Sequence, residues 1–208
     1  MPTTDRRPLA SRQSAWAATT QRLLLKTPIT ANQISLLGIL FAALGAWALV
    51  EAPRYPWLFL AAALCIQLRL ICNLMDGLVA VEGGRGAPTG ALFNEVPDRL
   101  EDALLLAGFG WAAGLLWLGL IAGILAVFTA YVRAVGASHG FPQDFRGPMA
   151  KPQRMAALTL GCVLGLVEVL VWGSVTSLQV VLAVVVAGAA FTGLRRLRTI
   201  AAQMEARR

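Results

Sequence analysis

Long apolar stretches separated by short polar connections make up most of this chain. A helix needs roughly 20 apolar residues to cross a hydrocarbon core that is about 30 Å thick. Stretches of that length predict six transmembrane helices, near residues 33–51, 57–81, 90–111, 114–137, 154–173 and 176–199. The pattern therefore predicts an all-α, polytopic membrane protein.

The composition favours the same class of protein. Of the 208 residues, 57% are hydrophobic and 14% are charged, and the mean hydropathy is +0.66. Soluble domains carry about 25% charged residues, so a water-exposed fold of this composition is excluded. We expect an N-terminal segment over residues 1–30, a six-helix membrane domain over 31–200 and a basic tail over 201–208.

The net charge of +7 reflects membrane topology and does not indicate a nucleic-acid partner. Basic residues gather at both termini and on alternate connections, whereas the opposite connections carry only Arg54. Such residues stay in the cytoplasm under the positive-inside rule. We therefore expect a multi-pass protein of a bacterial inner membrane with both termini in the cytoplasm.

Residues 9–27 mix apolar and basic positions before the first crossing. In this segment Arg22 and Lys26 flank the three leucines Leu23, Leu24 and Leu25. A helix of that kind lies in the membrane interface and binds anionic lipid. The alternative is a plain charged tail.

Ionisable residues inside or beside the apolar stretches are the most informative feature of the sequence. A charge at the bilayer centre costs about 3 kcal/mol, so a cluster of charges needs partners, water or metal. The residues of this kind are Arg69, Asp76, Glu82, Glu95, Asp98, Arg99, Glu101, Asp102, Arg133 and Glu168. We take a functional role as the default hypothesis for this set.

Helical spacing aligns many of these polar residues on facing stripes. Arg69, Asn73 and Asp76 share one face of the second predicted crossing, at intervals of three to four residues. The third crossing carries a similar stripe at Asn94, Asp98 and Asp102.

The segment GGRGAPTG, residues 83–90, separates these two crossings and allows their polar faces to meet. Oxygen ligands on two facing helices are what Mg²⁺ or Mn²⁺ select. We therefore predict a metal site, and the alternative is two stripes that hydrogen-bond helix to helix.

Two segments of these crossings resemble a known motif. NLMDGLVA, which begins at Asn73, and GALFNEVPD, which begins at Gly90, are similar to the signature DxxDGxxARx8GxxxDxxxD of the CDP-alcohol phosphotransferases. The spacing fits without a gap, and the matching positions are Asp76, Gly77, Ala80, Gly90 and Asp98. The sequence departs from the motif at Asn73, Asn94 and Val81.

The flanks extend this resemblance over most of the chain. ITANQISLLG, residues 29–38, looks like the ITPNQITLL stretch that opens the first crossing in the family. AYVRAVG and GPMAKPQRM are similar, more loosely, to segments that bind the acceptor's phosphate in phospholipid-making members.

The resemblance implies a six-helix homodimer. It implies a reaction in which a polar alcohol attacks the β-phosphorus of a CDP-alcohol, such as CDP-diacylglycerol, and CMP is released. It implies a role for each matched residue of this sequence. Asp98 would be the general base, and one or two Mg²⁺ or Mn²⁺ ions would bind Asn73, Asp76, Asn94 and Asp98. The nucleotide would contact Asn32, Gly77, Ala80, Arg85 and Gly90. The acceptor would bind Arg133, Lys151 and Arg154.

The departures from the motif leave several alternatives open. Because asparagine offers only a neutral carbonyl oxygen, three alternatives stay open. The site holds its metals with help from the substrate diphosphate and Glu95 or Asp102, binds one metal, or has lost activity. Arg85 or Arg69 could replace the arginine that the motif has at Val81. The other role for Arg69 is an internal ion pair with Glu101 or Asp102.

Several further residues are interpreted as structural. We expect Arg99 to snorkel or pair locally, the single histidine His139 to have a structural or solvent-exposed role and not a catalytic one, and Glu168 to pair across the bundle or a dimer interface. Tryptophans at the predicted helix ends are typical of an aromatic belt.

The sequence thus supports a metal-dependent phosphatidyltransferase of phospholipid biosynthesis as the main hypothesis. A family member that only binds CDP-lipid, as a sensor or scaffold, is the alternative that the two asparagines favour. A small transporter with Asp76 and Asp98 on its ion path fits the hydropathy but not the motif spacing.

Overall fold

A computed structural model of the chain describes residues 15–81 and 89–207. Within these residues the structure contains seven helices and no strand. The helices are α1 (Ala15–Leu25), α2 (Ala31–Glu51), α3 (Leu58–Val81), α4 (Gly90–Ala112), α5 (Leu116–Ser138), α6 (Lys151–Trp172) and α7 (Thr176–Glu205). The all-α class is confirmed.

Helices α2 to α7 correspond one to one to the six predicted crossings. In the described part of the chain, five of them, α2, α3, α5, α6 and α7, are long and apolar enough to span a membrane. Helix α4 is equally long, but its first half carries the charged residues of the polar stripe. The chain is a multi-pass membrane protein, and the sixth crossing stays a prediction.

Two helix boundaries differ from those expected. Helix α6 begins at Lys151 and not near residue 154, because Pro152 is tolerated in the first turn, where its missing N–H costs nothing. Helix α7 continues to Glu205 and not to residue 199. Its last turns contain alanine, arginine, glutamine and methionine, which are good helix formers.

The six long helices form a closed ring of neighbours. Around the ring, α2 packs on α3, α3 on α6, α6 on α7, α7 on α5, α5 on α4, and α4 on α2. Short connections make successive helices run in opposite directions. We call the end at which α2, α4 and α6 begin the polar end, and the other the apolar end.

Helix α2 begins with a capping box. The Thr30 hydroxyl accepts a hydrogen bond from the Gln33 backbone N–H, and the Gln33 side chain accepts one from the Thr30 N–H. Further along, Gly38 allows a side chain of α4 to approach, since a Cβ at Gly38 would lie 2.5 Å from Glu101 Oε1. The cap and this glycine therefore seat α2 against the polar residues of α4.

The apolar core lies between the helices towards the apolar end. Phe59, Ile66, Leu106 and Phe109 are fully buried in it. Small residues allow the closest contacts: a Cβ at Gly119 would lie 2.5 Å from the Leu106 carbonyl oxygen. Backbones can therefore approach closely, as is typical of helix packing in membranes.

Glu168 finds its partners in the turn after its own helix and not across the bundle, and its pairing across a dimer interface stays a prediction. Its carboxylate accepts hydrogen bonds from the backbone N–H groups of Thr176 and Ser177, at 2.8 and 2.7 Å, and from the Ser174 hydroxyl. Helix α6 ends at Gly173 with φ of +65°, and the chain then turns back. Glu168 therefore caps the start of α7, because its negative charge meets unpaired N–H groups there.

The N-terminal segment contains a helix, so the described part of it is not an unstructured tail. Helix α1 packs on α3, with Ala17 fully buried and the Gln21 side chain donating to the Leu78 carbonyl at 3.4 Å. Trp16 and Leu23 are exposed. Residues 9–14 of the predicted interfacial helix lie outside the described residues, and its position in the interface stays a prediction.

Tryptophans mark the apolar end of the bundle. Trp57, Trp111, Trp117 and Trp172 lie at or next to helix ends there, and all four rings are exposed. This placement fits the aromatic belt that the sequence predicts.

Candidate active site

Charged side chains from α3, α4 and α6 converge at the polar end of the bundle. Spacings of three and four residues place these side chains on the inward faces of their helices. This polar cluster consists of Arg69, Asn73 and Asp76 on α3, Asp98, Glu101 and Asp102 on α4, and Lys151 and Arg154 on α6. The two stripes predicted from the sequence therefore meet, and α6 completes them.

The deepest layer of the cluster is a buried ion-pair network. Arg69 Nε donates to Glu101 Oε2 at 2.6 Å, and Arg69 Nη2 donates to Asp102 Oδ1. Arg154 Nη2 donates to the second oxygen of Asp102 at 2.7 Å. The side chains of Arg69, Glu101 and Asp102 are at most 1% exposed. Pairing of this kind compensates the cost of burying each charge.

The internal ion pair expected for Arg69 is thereby confirmed. A fully buried guanidinium held between two carboxylates cannot also reach a substrate at the cluster's surface. Arg85, the other candidate for the motif's missing arginine, lies outside the described residues. Arg99 pairs locally as expected, with Glu95 Oε2 at 2.9 Å.

Lys151 links the outer layer of the cluster. Its ammonium donates to Asn73 Oδ1 and to Asp98 Oδ1. Asn73 Nδ2 in turn donates to Glu101 Oε2 at 3.1 Å. Asn73 and Asp98, which the motif spacing brings together, therefore share a cation from α6.

Asp76 lies deeper in the bundle, with 4% of its surface exposed. Asp76 Oδ2 accepts a hydrogen bond from Ser35 Oγ of α2 at 2.6 Å. Asp76 Oδ1 is buried and has no hydrogen-bond partner among the described residues. A buried carboxylate oxygen in this state is costly unless a cation or donor satisfies it, so Asp76 is suited to bind one.

The glycines of the motif border open space. A Cβ added at Gly77 or at Gly90 would meet no heavy atom of the described residues within 4 Å. Ala80 is half-buried and packs towards α1 and α2, and Asn32 is half-buried on the first turn of α2. The two glycines are therefore the matched positions that leave room for a flat group against the helices, and all four roles stay predictions.

The oxygen atoms available in the cluster limit how many metal ions the site could bind. Among residues 15–81 and 89–207, no three His, Cys, Asp or Glu side chains are grouped closely enough to form a metal site by themselves. Asn94 is exposed on α4, one turn before Asp98. The cluster offers the Asp98 carboxylate, amide oxygens and the buried unpaired oxygens of Asp76 and Glu101, but the other oxygen of Glu101 is held by Arg69 and Asn73, so the set fits one hard cation better than two.

Arg133 forms the centre of a second polar site beside the cluster. Its Nη2 contacts both carboxylate oxygens of Glu95, at 2.7 and 2.6 Å, and its Nη1 donates to Gln143. The Phe145 ring lies 5.0 Å from its guanidinium carbon. Arg99 binds the same Glu95, so two cations share one carboxylate.

The connection from α5 to α6 borders this second site. Arg146 hydrogen-bonds Asp144 there, and Arg196 Nε donates to the Arg146 carbonyl at 3.0 Å. Partial burial acts to raise the pKa of Asp144, but the hydrogen bonds and charge of Arg146 outweigh it and lower that pKa below its usual value. Asp144 is therefore ionised at neutral pH and pairs with Arg146 within the loop.

Arg154 lies apart from the acceptor role expected for it. Its guanidinium is 1% exposed and donates to the Met149 carbonyl and to Asp102. Contact with an acceptor would require breaking the Asp102 pair, so this geometry favours a structural role.

His139 is exposed at the end of α5, as expected. Its carbonyl accepts a hydrogen bond from Arg207. This placement gives it no part in the polar cluster.

Two site residues were not anticipated from the sequence. Ser35 lies three residues after Asn32 and shares its helix face, so the position of the ITANQ segment could have indicated it. Gln143 lies in an irregular loop, and no sequence signal indicates that it contacts Arg133.

Relatives of known identity match much of the chain. The bifunctional IPC transferase and DIPP synthase of Rubrobacter xylanophilus is 37% identical over 148 residues, which are 68% of this chain and 33% of that protein. The phosphatidylinositol phosphate synthase of Mycolicibacterium smegmatis is 26% identical over 66% of this chain and 63% of that protein. The chain thus spans less than two thirds of each of these relatives. No family model matches it.

Solved structures share the fold. Two crystal structures of the phosphatidylinositol phosphate synthase of Mycobacterium tuberculosis, one in complex with manganese and citrate and one with CDP-DAG bound, have TM-scores of 0.72 and 0.70 and identities of 22% and 23%. Each comparison covers 88% of this chain, and 87% and 92% of those chains. The motif spacing, the relatives and the shared fold together show that the chain belongs to the CDP-alcohol phosphotransferase family.

Proposed function

We propose that this protein transfers a phosphatidyl group from CDP-diacylglycerol to the hydroxyl of a phosphorylated polar alcohol and releases CMP, in phospholipid biosynthesis. The observation that carries the proposal is the polar cluster, in which both carboxylates of the matched motif, Asp76 and Asp98, lie beside the cation Lys151 at the polar end. The M. smegmatis relative is a phosphatidylinositol phosphate synthase, so inositol phosphate is the first acceptor to test.

In this reaction the acceptor hydroxyl oxygen bonds to the phosphorus that carries the diacylglycerol. The bond from that phosphorus to the bridging oxygen breaks, CMP leaves, and the hydroxyl proton moves to Asp98. Asp98 suits the role of base because its position matches the motif and Lys151 holds one of its carboxylate oxygens in a fixed place. Chemistry of this kind depends mostly on positioning and charge neutralisation.

Asp76 is the residue best placed to hold Mg²⁺ or Mn²⁺, through its buried, unpaired oxygen. Asp98 and the amide oxygens of Asn73 and Asn94 are the further candidate ligands. The ion would neutralise charge on the diphosphate. The M. tuberculosis structures, one with manganese and one with CDP-DAG, support a metal and a CDP-lipid as ligands of this fold.

Arg133 is the proposed anchor for an acceptor phosphate. For Lys151 that role would require breaking its contacts with Asn73 and Asp98. Arg133 is held in place by Gln143 and Phe145, and its partner Glu95 is about half exposed. An incoming phosphate could displace that carboxylate and keep both arginines, Arg133 and Arg99, neutralised. The proposed nucleotide contacts are Asn32, Gly77, Ala80 and Gly90 with Arg85.

We also propose the topology and assembly that the charge pattern indicates. The termini and the polar end face the cytoplasm, which supplies the polar acceptor and receives the released CMP, while the membrane supplies CDP-diacylglycerol. The membrane domain over residues 31–200 pairs as a homodimer in a bacterial inner membrane.

The second candidate is a protein that binds CDP-lipid without turnover. Asn73 and Asn94 favour it, because each removes a negative charge that would attract metal. The two functions differ in one measurable respect, since only the enzyme releases CMP.

The test is CMP release by the purified protein in lipid nanodiscs that contain CDP-diacylglycerol and Mg²⁺ or Mn²⁺. Inositol phosphate, glycerol 3-phosphate, inositol and glycerol are compared as acceptors. We expect metal-dependent release with a phosphorylated acceptor, loss of at least a hundredfold in Asp98→Asn, and no loss in the control Glu51→Gln at the apolar end of α2. CDP binding without release in the wild type would establish the binding protein instead.

A further inference from the structure

A lysine ammonium stands between two motif positions that are both aspartate in the family signature. Lys151 donates hydrogen bonds to Asn73, at the first of these positions, and to Asp98, at the fourth. The Lys151 side chain is 11% exposed, so solvent screens the contact only weakly. A positive charge is therefore built into the part of the site where the signature places metal ligands.

Asn73 is held in the orientation that this contact needs. Its Nδ2 donates to Glu101 Oε2 at 3.1 Å, which turns its Oδ1 towards Lys151. An aspartate here would lose that donor and place a second negative charge beside Glu101. At position 73 asparagine therefore suits its two neighbours better than aspartate, because it can donate to Glu101 and accept from Lys151.

The charge balance of the site also opposes the binding of a second divalent ion. Four aspartates would carry −4, whereas Asp76 and Asp98 carry −2 and Lys151 adds +1, which leaves −1. One divalent ion would bring the sum to +1, and two would bring it to +3 before substrate binds. A second ion would also lie next to a fixed like charge, which opposes its binding.

The residue type suits a substitute for a metal ion. Of the 18 basic residues in the chain only Lys26 and Lys151 are lysines. An ammonium is a compact point charge with three donors, whereas a guanidinium is a planar fork that needs two acceptors in one plane. Lysine is therefore the side chain that can fill the space between two single oxygens.

We propose that the Lys151 ammonium takes the place of one divalent cation, so that the site works with a single ion held at Asp76. The inference rests on the proposed function, because it assigns to Lys151 part of the neutralisation of the donor's diphosphate. Lys151 also positions Asp98, since it holds one of the two carboxylate oxygens.

The experiment measures how many Mn²⁺ ions bind per chain in nanodiscs with saturating CDP, by isothermal titration and by electron paramagnetic resonance. We expect one ion in the wild type and in the control Lys26→Met. In the double variant Asn73→Asp/Lys151→Met, which restores a carboxylate and removes the ammonium, we expect two. In Asn73→Asp alone the new carboxylate pairs with Lys151, and the number stays at one.

Two ions in the wild type, none in the wild type, or one in a double variant that still binds CDP would each overturn the proposal. If the double variant does not purify as a folded protein, the wild-type count still decides. CMP release is recorded on the same samples. A count of one without CMP release would leave the replacement of one cation by Lys151 standing and refute the proposed function, so the two can fail separately.

Discussion

The two ends of this bundle hold the same helices together by different means. At the apolar end the helices meet through small residues and buried apolar side chains, with the Gly119 position touching the backbone of α4. At the polar end Arg69 of α3 and Lys151 and Arg154 of α6 bind carboxylates of α4 across the ring of helices. The difference shows that charge is concentrated where chemistry is proposed, while close packing supplies the frame elsewhere.

The largest effect should come from breaking the ion pairs at the polar end. Arg69→Met leaves Glu101 and Asp102 buried without their partner, which should cost about 3–5 kcal/mol. Thermal unfolding in nanodiscs measures the loss. Arg54→Met, at an exposed arginine of the apolar end, is the control and should change little. Equal unfolding temperatures for the two variants would show that the network does not stabilise the bundle.

The next largest effect should come from overpacking the apolar end. A Cβ in Gly119→Ala would lie 2.5 Å from the Leu106 carbonyl oxygen and 2.8 Å from Gly110 Cα. Both atoms belong to backbone that cannot move without separating α4 from α5. We expect a loss of about 1–3 kcal/mol in the same unfolding assay. An unchanged stability would mean that the two helices are not in such close contact.

A glycine substitution at the polar end, to be compared with Gly119→Ala, should affect CDP binding without affecting stability. Gly77→Leu adds a side chain whose Cβ would meet no heavy atom of the described residues within 4 Å, so stability should change by less than about 1 kcal/mol. If the nucleotide lies against this face, CDP affinity should fall at least tenfold in a titration. A variant that binds CDP as tightly as the wild type would place the nucleotide elsewhere.

The smallest effect should come from the cap at the start of α7. Glu168→Gln keeps the shape of the side chain but weakens its hydrogen bonds to the N–H groups of Thr176 and Ser177. The unfolding temperature should decrease slightly, by less than in Gly119→Ala, and CDP binding should be unaffected. A larger decrease than that of Gly119→Ala would mean that Glu168 has a further partner.

Much of the fold follows from the sequence because hydropathy acts locally. The apolar stretches located all six long helices, and charge depletion separated the two ends. Even α4, whose charges keep it below the apolarity of a typical span, was located from its stripe of Asn94, Asp98 and Asp102. The misplaced boundaries, at Lys151 and Glu205, lie where helix propensity and a tolerated proline decide and hydropathy does not.

The candidate site was only partly predictable, since its contacts join distant parts of the chain. Helical periodicity was sufficient to place Asp76 and Asp98 on inward faces. It could not show that Ser35 binds Asp76, because that contact depends on how α2 is rotated against α3. The role of Glu168 was missed for a similar reason: its partners belong to the turn after Gly173, whose path a pattern does not reveal.

The sequence by itself determined the membrane class, the helix positions and the motif, since hydropathy, helical period and spacing are properties of neighbouring residues. Only the tertiary structure decided which charges meet. Lys151 lies 78 residues from Asn73 and 53 from Asp98, and Arg154 lies 52 from Asp102. Such pairings depend on the rotation and depth of each helix in the bundle, which packing of all six helices sets together.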